Sequence, residues 1–560
     1  MMASWDRRYS RRQFIRGAAG VATGAVAMGS AGGLLAACGN SSTSTSTKLQ
    51  TGALPLKRDP ETLVVAMDAF TNDFDPASYF LLAAIVPSFG VYDSLMRMSG
   101  NSPTATKPWL AEKFSTNANK SVWTFSLRPG VKYSDGTPLD ANAVKAAYDR
   151  TLKAGLGAGS TLQHYITEAK QIVAKDPGTL VLDLGVPVPQ FDLIAASQYG
   201  MGIVNPKVVT QQGSDAKAHT YLATHSAGTG AYMVESVTPG SQIVLVQNPH
   251  YWGGWSGSHF KKIIILQVPE NSSRREGMES GDFDIAFPST PQDTAALRST
   301  PGIFVGNAEV LGMDYVILGQ FGPLASPLAR QAVNLLFPVE QYVSSVFKNT
   351  IATPVSVLPN GMLYTVPGSY KPTVNVTQAK TLLQHAGVRP GTQLTYEFYT
   401  GQGDQAGLLL QSQLALVGLS VKIVEKAYQN FVNDISKPLP VSKRPDMAYW
   451  FWWPEFNSPA DFAFPILSNQ ATPNQSLFNG GYYNNAAVNK AINDGFTDAG
   501  NQQLMTQLWS EAQTVMGQQD PPWIPLGQII DTSYLRTDIK GYVANPVYVQ
   551  SYDFYALSRS

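Results

Sequence analysis

The residues best suited to chemistry lie in one run, Tyr449-Trp450-Phe451-Trp452-Trp453-Pro454-Glu455-Phe456-Asn457-Ser458-Pro459, where aromatic rings crowd a single carboxylate between two prolines. Aromatic faces give broad apolar contact, and Tyr and Trp add polar handles. A carboxylate in such drier surroundings holds a cation or an amine more strongly than it does in water. Apolar walls with a few placed polar groups are the make-up of a small-molecule pocket. The run fits equally a buried core strand ending in a Pro-rich turn, with Glu455 a solvated loop acid.

Other candidate chemistry is sparse. The histidines are His164, His219, His225, His250, His259 and His385, and none forms His-x-His or His-Glu-x-x-His, so a zinc or copper site has no motif. Ser345-Val346-Phe347-Lys348 fits Ser-x-x-Lys but lacks companion motifs, and no Gly-x-x-x-x-Gly-Lys-Ser/Thr occurs for a P-loop. Gly401-Gln402-Gly403-Asp404-Gln405-Ala406 fits Gly-x-Gly-x-x-Ala between a strand and a helix, with Glu425 near the place of a ribose-binding acid. That pattern supports a dinucleotide-dependent oxidoreductase as one reading. Against it, Phe398 and Tyr399 before the turn are bulky for a phosphate cradle. No cofactor is expected.

Positioning these residues takes an α/β framework. Glu61-Thr62-Leu63-Val64-Val65-Ala66-Met67 holds the near-continuous apolar run of a buried parallel strand. Val122 to Leu127 alternates, with Trp123, Phe125 and Leu127 on one face. Asp140 caps a helix carrying Val144, Ala147 and Tyr148 on one side. Ala379, Leu382, Leu383 and Ala386 form another helix face, with Gly387 at its C-terminal cap. Leu394–Thr400, then a helix with Ala406, Leu409, Leu410, Leu414 and Val417 on one face and Gly418 closing it, then Val421–Val424, is a parallel βαβ unit. A strand at Asp446–Tyr449 puts Glu455 just past a strand's C-terminal end, where open α/β sheets bind ligands.

With 560 residues the chain holds more than one domain or one large composite. Its formal net charge is zero and only 14% of residues are charged, so no basic stripe suggests nucleic acid. The single cysteine, Cys38, lies ahead of the folded body, which therefore has no disulfide and no cysteine metal cluster.

The N-terminus carries an address. Ser10-Arg11-Arg12-Gln13-Phe14-Ile15-Arg16 resembles the twin-arginine export signal, and a mildly apolar Gly/Ala-rich stretch follows it. Leu35-Ala36-Ala37-Cys38 resembles a bacterial lipobox, which implies cleavage before Cys38 and a diacyl lipid on that cysteine. The Ser/Thr-rich segment after it reads as a flexible tether.

Within the body, the order and spacing of several segments carry a resemblance. These are Pro108-Trp109-Leu110-Ala111-Glu112, Trp123 to Leu139, Gly228-Thr229-Gly230-Ala231-Tyr232, Asn248-Pro249-His250-Tyr251-Trp252, Gly281-Asp282-Phe283-Asp284-Ile285, Ala329-Arg330-Gln331-Ala332-Val333, and Ala379 to Gly387. Together they resemble the family 5 extracellular solute-binding proteins, the dipeptide, oligopeptide and nickel-binding components of ABC importers. The resemblance runs from about Glu61 nearly to the C-terminus.

It implies an α/β, two-lobed periplasmic-binding-protein type II fold (cluster C) with an extra subdomain in the first lobe. The expected division is a signal over 1–38, a tether over 39–59, lobe I over 60–96, 206–310 and 525–560, the subdomain over 97–205, and lobe II over 311–524. In peptide-binding members a Trp-x-x-Asp-x-x-x-Pro segment supplies the Asp that pairs with the ligand's α-amino group. Glu455 falls on that position, three after Trp452 and four before Pro459, but Glu is one methylene longer and Ser458 stands where an acid is common. The resemblance thus implies a ligand site at Tyr449, Trp452, Trp453, Glu455, Phe456 and Asn457. It further implies a lipid-anchored, monomeric, non-enzymatic binding protein outside the cytoplasm that hands short peptides to a permease driven by a separate ATPase. A metal chelate, a sugar or another small solute is the alternative cargo.

Overall fold

The computed structural model describes residues 59–71, 73–79, 82–154, 162–287, 290–400, 402–469 and 478–560; Arg11, Arg12, Phe14, Cys38 and nearly all of the tether lie outside them. The apolar run near the start forms strand β1 (Thr62–Met67), with five of its six residues buried. A separate antiparallel sheet follows, built from β2 (Ala111–Thr116), β3 (Val122–Leu127), β4 (Ile172–Asp176) and β5 (Thr179–Asp183) in the order β2-β3-β5-β4. Trp123, Phe125 and Leu127 are buried, as the alternation requires. Helix α1 (Ala141–Ala154) buries Val144, Ala147 and Tyr148, and Asp140 Oδ1 accepts the Ala143 N–H at 2.8 Å as its cap.

Among the described residues the main sheet has eleven strands. It contains β1, β6 (Tyr232–Thr238), β7 (Gln242–Gln247), β8 (Lys262–Gln267), β9 (Ile285–Ala286), β10 (Ile303–Leu318), β11 (Ile351–Ala352), β12 (Gln393–Tyr399), β13 (Ser420–Lys426), β14 (Met447–Trp452) and β15 (Trp523–Arg536). The order is β13-β12-β14-β10-β15-β9-β1-β8-β7-β6, with β11 paired to β15. β12 and β13 are parallel neighbours, as the βαβ reading predicts. The connecting helix is Asp404–Ala415 and ends ahead of Gly418, which has φ +80°.

Two strands serve both halves of this sheet. Ile303–Glu309 of β10 pairs with Ile530–Arg536 of β15, on the side of β9 and β1. After a register break between Glu309 and Met313, Met313–Ile317 pairs with Trp523–Gln528, and β14 lies on the other side of β10. The break carries Gly312, where an added Cβ would stand 3.0 Å from Ile529 and 3.5 Å from the Trp453 Cβ.

Several of the segments behind the family resemblance meet at one buried acid. Asp93 Oδ1 accepts the Trp109 indole N–H at 2.6 Å, and its Oδ2 accepts from Trp252 Nε1 at 3.1 Å and Thr229 Oγ1 at 2.9 Å. Gly228 and Gly230 flank Thr229 because the chain passes the Val91 and Gly90 carbonyls closely; a Cβ would come within 2.1 and 2.4 Å of those oxygens. Asp284 has a similar role, accepting from the Val64 N–H at 2.8 Å and from Arg559 Nη2 at 2.9 Å. These segments hold the scaffold together through buried, satisfied polar groups, which are costly to break.

Candidate ligand-binding site

Strand β14 presents its aromatic residues to two faces, because side chains alternate along a strand. Trp450 and Trp452 turn to one face, with ring centroids 5.3 and 5.4 Å from that of Phe478. Tyr449 and Phe451 turn to the other, where the Tyr449 hydroxyl reaches both Gln402 Oε1, at 3.4 Å, and the Asp314 carboxyl. Trp453 stacks on Phe451 with centroids 5.3 Å apart. Tyr449 and Trp452 therefore belong to the interior of the second half of the sheet, 2 and 8% exposed.

Gly403, from the dinucleotide-like pattern, packs against this strand: an added Cβ would lie 2.7 Å from Tyr449, and φ there is +94°. A left-handed turn and a close approach require glycine at that point without any phosphate.

Past β14 the chain turns sharply. Ser458 caps helix α2 (Pro459–Leu467), its Oγ accepting the Asp461 N–H at 3.3 Å. Asp461 reaches back, and its Oδ2 accepts the Glu455 N–H at 2.7 Å and the Phe456 N–H at 3.4 Å. This local capping bond fixes the turn that carries Glu455.

The turn is where the two halves meet. Trp453 Nε1 donates to Tyr199 Oη at 3.0 Å, and Ser197 Oγ donates to the Glu455 carbonyl at 2.9 Å. Asn457 Nδ2 donates to the Pro103 carbonyl at 3.2 Å and the Gly361 carbonyl at 3.0 Å, while its Oδ1 accepts the Leu363 N–H at 2.8 Å. Phe456 and Asn457 line a crevice shared with Tyr165, Gln190 and Tyr364. Trp453, Glu455, Phe456 and Asn457 are thus brought together at the seam, and Tyr449 and Trp452 stand behind them.

Electrostatically the seam is acidic, and among the described residues its carboxyl groups lack counter-ions. Glu455 is 7% exposed and so is not a solvated loop acid. Its carboxyl is hydrogen-bonded to that of Asp461, and burial plus the neighbouring negative charge push it well above the usual carboxylate range. Asp461 is raised as well, by burial, but its two backbone N–H donors favour its charged form. Glu455 is therefore the member that keeps the proton. Asp314 is pushed up to about 7 by burial, and Asp531 to about 6. Among the described residues, none of these four acids forms an ion pair with Lys, Arg or His.

The sequence reading missed Asp461, Asp314, Asp531, Ser197 and Tyr199. Asp461 had a signal, since Ser458 followed three residues later by an acid is a capping pattern. The others come from distant segments, and no local pattern marks them.

Among the described residues no group of three or more His, Cys, Asp and Glu could hold a metal ion. No helix among them is long and apolar enough to cross a membrane.

Comparison with known proteins agrees with this architecture. Residues 105–474 match the family described as bacterial extracellular solute-binding proteins, family 5 middle. The chain is 26% identical over 504 residues to the probable D,D-dipeptide-binding periplasmic protein DdpA of Escherichia coli K12, covering 90% of this chain and 93% of that one. Among solved structures it is similar to the periplasmic binding protein DppA of Helicobacter pylori in complex with the peptide STSA, at 21% identity and a TM-score of 0.74 over 89% of this chain and 98% of that one. It is also similar to a dipeptide-binding protein of Pseudoalteromonas sp. SM9913 in complex with Met-Leu, at 18% identity and a TM-score of 0.76, covering 89 and 100%. A sheet whose halves share β10 and β15, and a match over most of its length, make this chain a family 5 bacterial extracellular solute-binding protein with the two-lobed α/β type II fold.

Proposed function

We propose that the chain captures short peptides outside the cytoplasm and delivers them to a membrane permease powered by a separate ATPase. The observation that carries this reading is the turn at 453–457, which bonds across the seam through Trp453, Glu455 and Asn457 while presenting a carboxyl among aromatic rings. A ligand held there touches both lobes only when they are closed, so it favours closure through that difference in contact. Glu455, as a carboxylate, takes the ligand's ammonium in a charge-assisted bond, and Trp453, Phe456 and Asn457 line its surroundings. The peptide-binding relatives favour this cargo.

The lobe division at 310/311 and 524/525, with 97–205 as the extra subdomain, is supported by the register break in β10 and by the separate four-stranded sheet. The twin-arginine pattern at Arg11, Arg12 and Phe14 supports export in a folded state, and Cys38 supports a lipid anchor. No covalent chemistry and no cofactor enter this reading.

The buried Glu455–Asp461 pair also favours a second reading, a small solute without an amine, because the carboxyl of Glu455 already has a partner. Native mass spectrometry of gently purified protein, followed by calorimetric titration with Ala-Ala and with N-acetyl-Ala-Ala, tests both. Binding of the free-amine peptide alone supports the first reading. A co-purifying non-peptide with no peptide binding overturns it.

A further inference from the structure

Asp531 lies on β15, on the first-half side of the register break, opposite Ala308 of β10. It is 6% exposed. Its Oδ2 accepts the Gln550 N–H at 2.9 Å, but its Oδ1 is fully buried and has no hydrogen-bond partner. The titratable groups that face it are the phenols of Tyr542 and Tyr552, both neutral near pH 7, and among the described residues no cation is paired to it. An ionised carboxylate left half unbonded in the interior is costly, and a cation brought to it would offset that cost.

Contacts tie Asp531 to the seam from two directions. Ser551, next to Gln550, donates from Oγ to Gln198 Oε1 at 3.1 Å. Gln198 adjoins Tyr199, the acceptor for Trp453, and its own Nε2 is buried without a partner. On the other side Ile529, two residues before Asp531 and on the same face of β15, packs at Gly312 beside Trp453. This circuit from Asp531 through Gln198, Tyr199 and Trp453 back to Ile529 runs around the place where the halves meet.

We propose that Asp531 is a second anionic subsite, separate from Glu455, which receives an ammonium or guanidinium group of the bound solute. The inference rests on the reading that the solute binds at this seam, and it adds a preference for cargo with a positive charge beyond an α-amine. Lobe I then contributes one carboxylate and lobe II the other, so a ligand with two cations draws the lobes together from both sides.

The test is calorimetric titration at pH 7.5 with Ala-Lys, Ala-Met and 1,5-diaminopentane, on the wild-type protein and on Asp531→Asn. The wild type is expected to bind Ala-Lys about tenfold or more tighter than Ala-Met, a preference that Asp531→Asn abolishes while the Ala-Met affinity stays within about twofold. Asn keeps the acceptor for the Gln550 N–H, which favours folding of the variant. Should it not fold, the wild type alone decides: its preference for Ala-Lys must shrink at pH 5, where burial has protonated Asp531. A preference unchanged in the variant or at pH 5, or no preference in the wild type, overturns the proposal. Diamine binding that needs Asp531, with no peptide binding, leaves this subsite standing and removes the peptide reading. No binding of either probe class by the wild type overturns the subsite.

Discussion

The carboxyl groups of Glu455 and Asp461 are hydrogen-bonded to each other in the interior, at the turn where the lobes meet, and no basic side chain is paired to either among the described residues. Two such groups cannot both ionise cheaply at this distance, so the pair keeps a proton that Glu455 carries.

This sets the pH dependence of capture. Both folded-state pKa values lie above those of an unfolded chain, so the pair's contribution to stability is complete below about pH 4 and is lost as pH rises through the folded values. A ligand ammonium can replace the proton. Binding of Ala-Ala should therefore release up to about one proton and tighten between pH 5 and 8. Titration in buffers of different ionisation enthalpy measures the release, and a heat independent of buffer would count against it. Glu455→Gln keeps a donor for Asp461 and should fold, yet weaken an amine-bearing peptide by about 1.5–3 kcal/mol, the worth of a charged hydrogen bond.

Asp314 offers a separate stability test. Its carboxyl is pushed up to about 7 by burial, so the folded state favours the protonated form, and stability present at low pH is lost as pH rises through 7. Asp314→Asn removes that loss while keeping a partner for Tyr449. The variant should be more stable than the wild type by about 1–4 kcal/mol at pH 8 and by less than half of that at pH 5, because the loss begins above the ordinary Asp value. Urea midpoints at the two pH values give the comparison, and equal effects at both would refute the burial argument.

How far the sequence revealed all this follows from the range of each interaction. β1, the alternating β3, the Asp140 cap and the strand–helix–strand around Asp404–Ala415 were legible because period and capping are local. The double service of β10 and β15 was not, since residues 303–318 and 523–536 meet only in the folded chain. The same holds within the aromatic run: its residue types marked a candidate site, but the fold buries Tyr449 and Trp452 on opposite faces of β14 and leaves Trp453, Glu455, Phe456 and Asn457 at the turn beyond it. The partners across that seam, Ser197 and Tyr199, lie more than 250 residues away in sequence.

Arg330 tests the scaffold. It is fully buried, donates to the Leu324 and Ala325 carbonyls at 2.6 and 2.8 Å, and pairs with Asp520 just before β15. The other carboxylate oxygen of Asp520 accepts from Asn485 Nδ2 at 2.9 Å. Arg330→Met would leave that carboxylate buried without its cation, at a cost of about 3–5 kcal/mol. Adding Asp520→Asn should recover part of the loss, because the uncompensated charge is then gone. Chemical denaturation of the single and double variants reads both effects, and a single variant within 1 kcal/mol of wild type, on the order of a surface pair, would show that the ion pair contributes little.

Gly312 tests the joint between the lobes. It sits in the register break of β10, and a Cβ there would press on Ile529 at 3.0 Å and touch the Trp453 Cβ at 3.5 Å. Valine adds two further methyl groups in the same place, and a packed interior accepts such bulk only by moving neighbours. The movable neighbour is Trp453, held across the seam by its single indole bond to Tyr199. Gly312→Val should therefore loosen the closed form while leaving each lobe folded. Small-angle scattering with saturating peptide is expected to show the wild type contracting and the variant staying near its unliganded radius of gyration, with peptide affinity reduced about tenfold or more. Gly312→Ala should fall between them, because its one methyl meets Ile529 at a distance that a rotamer adjustment can relieve. Full contraction of the valine variant at wild-type affinity would mean that Trp453 does not govern closure.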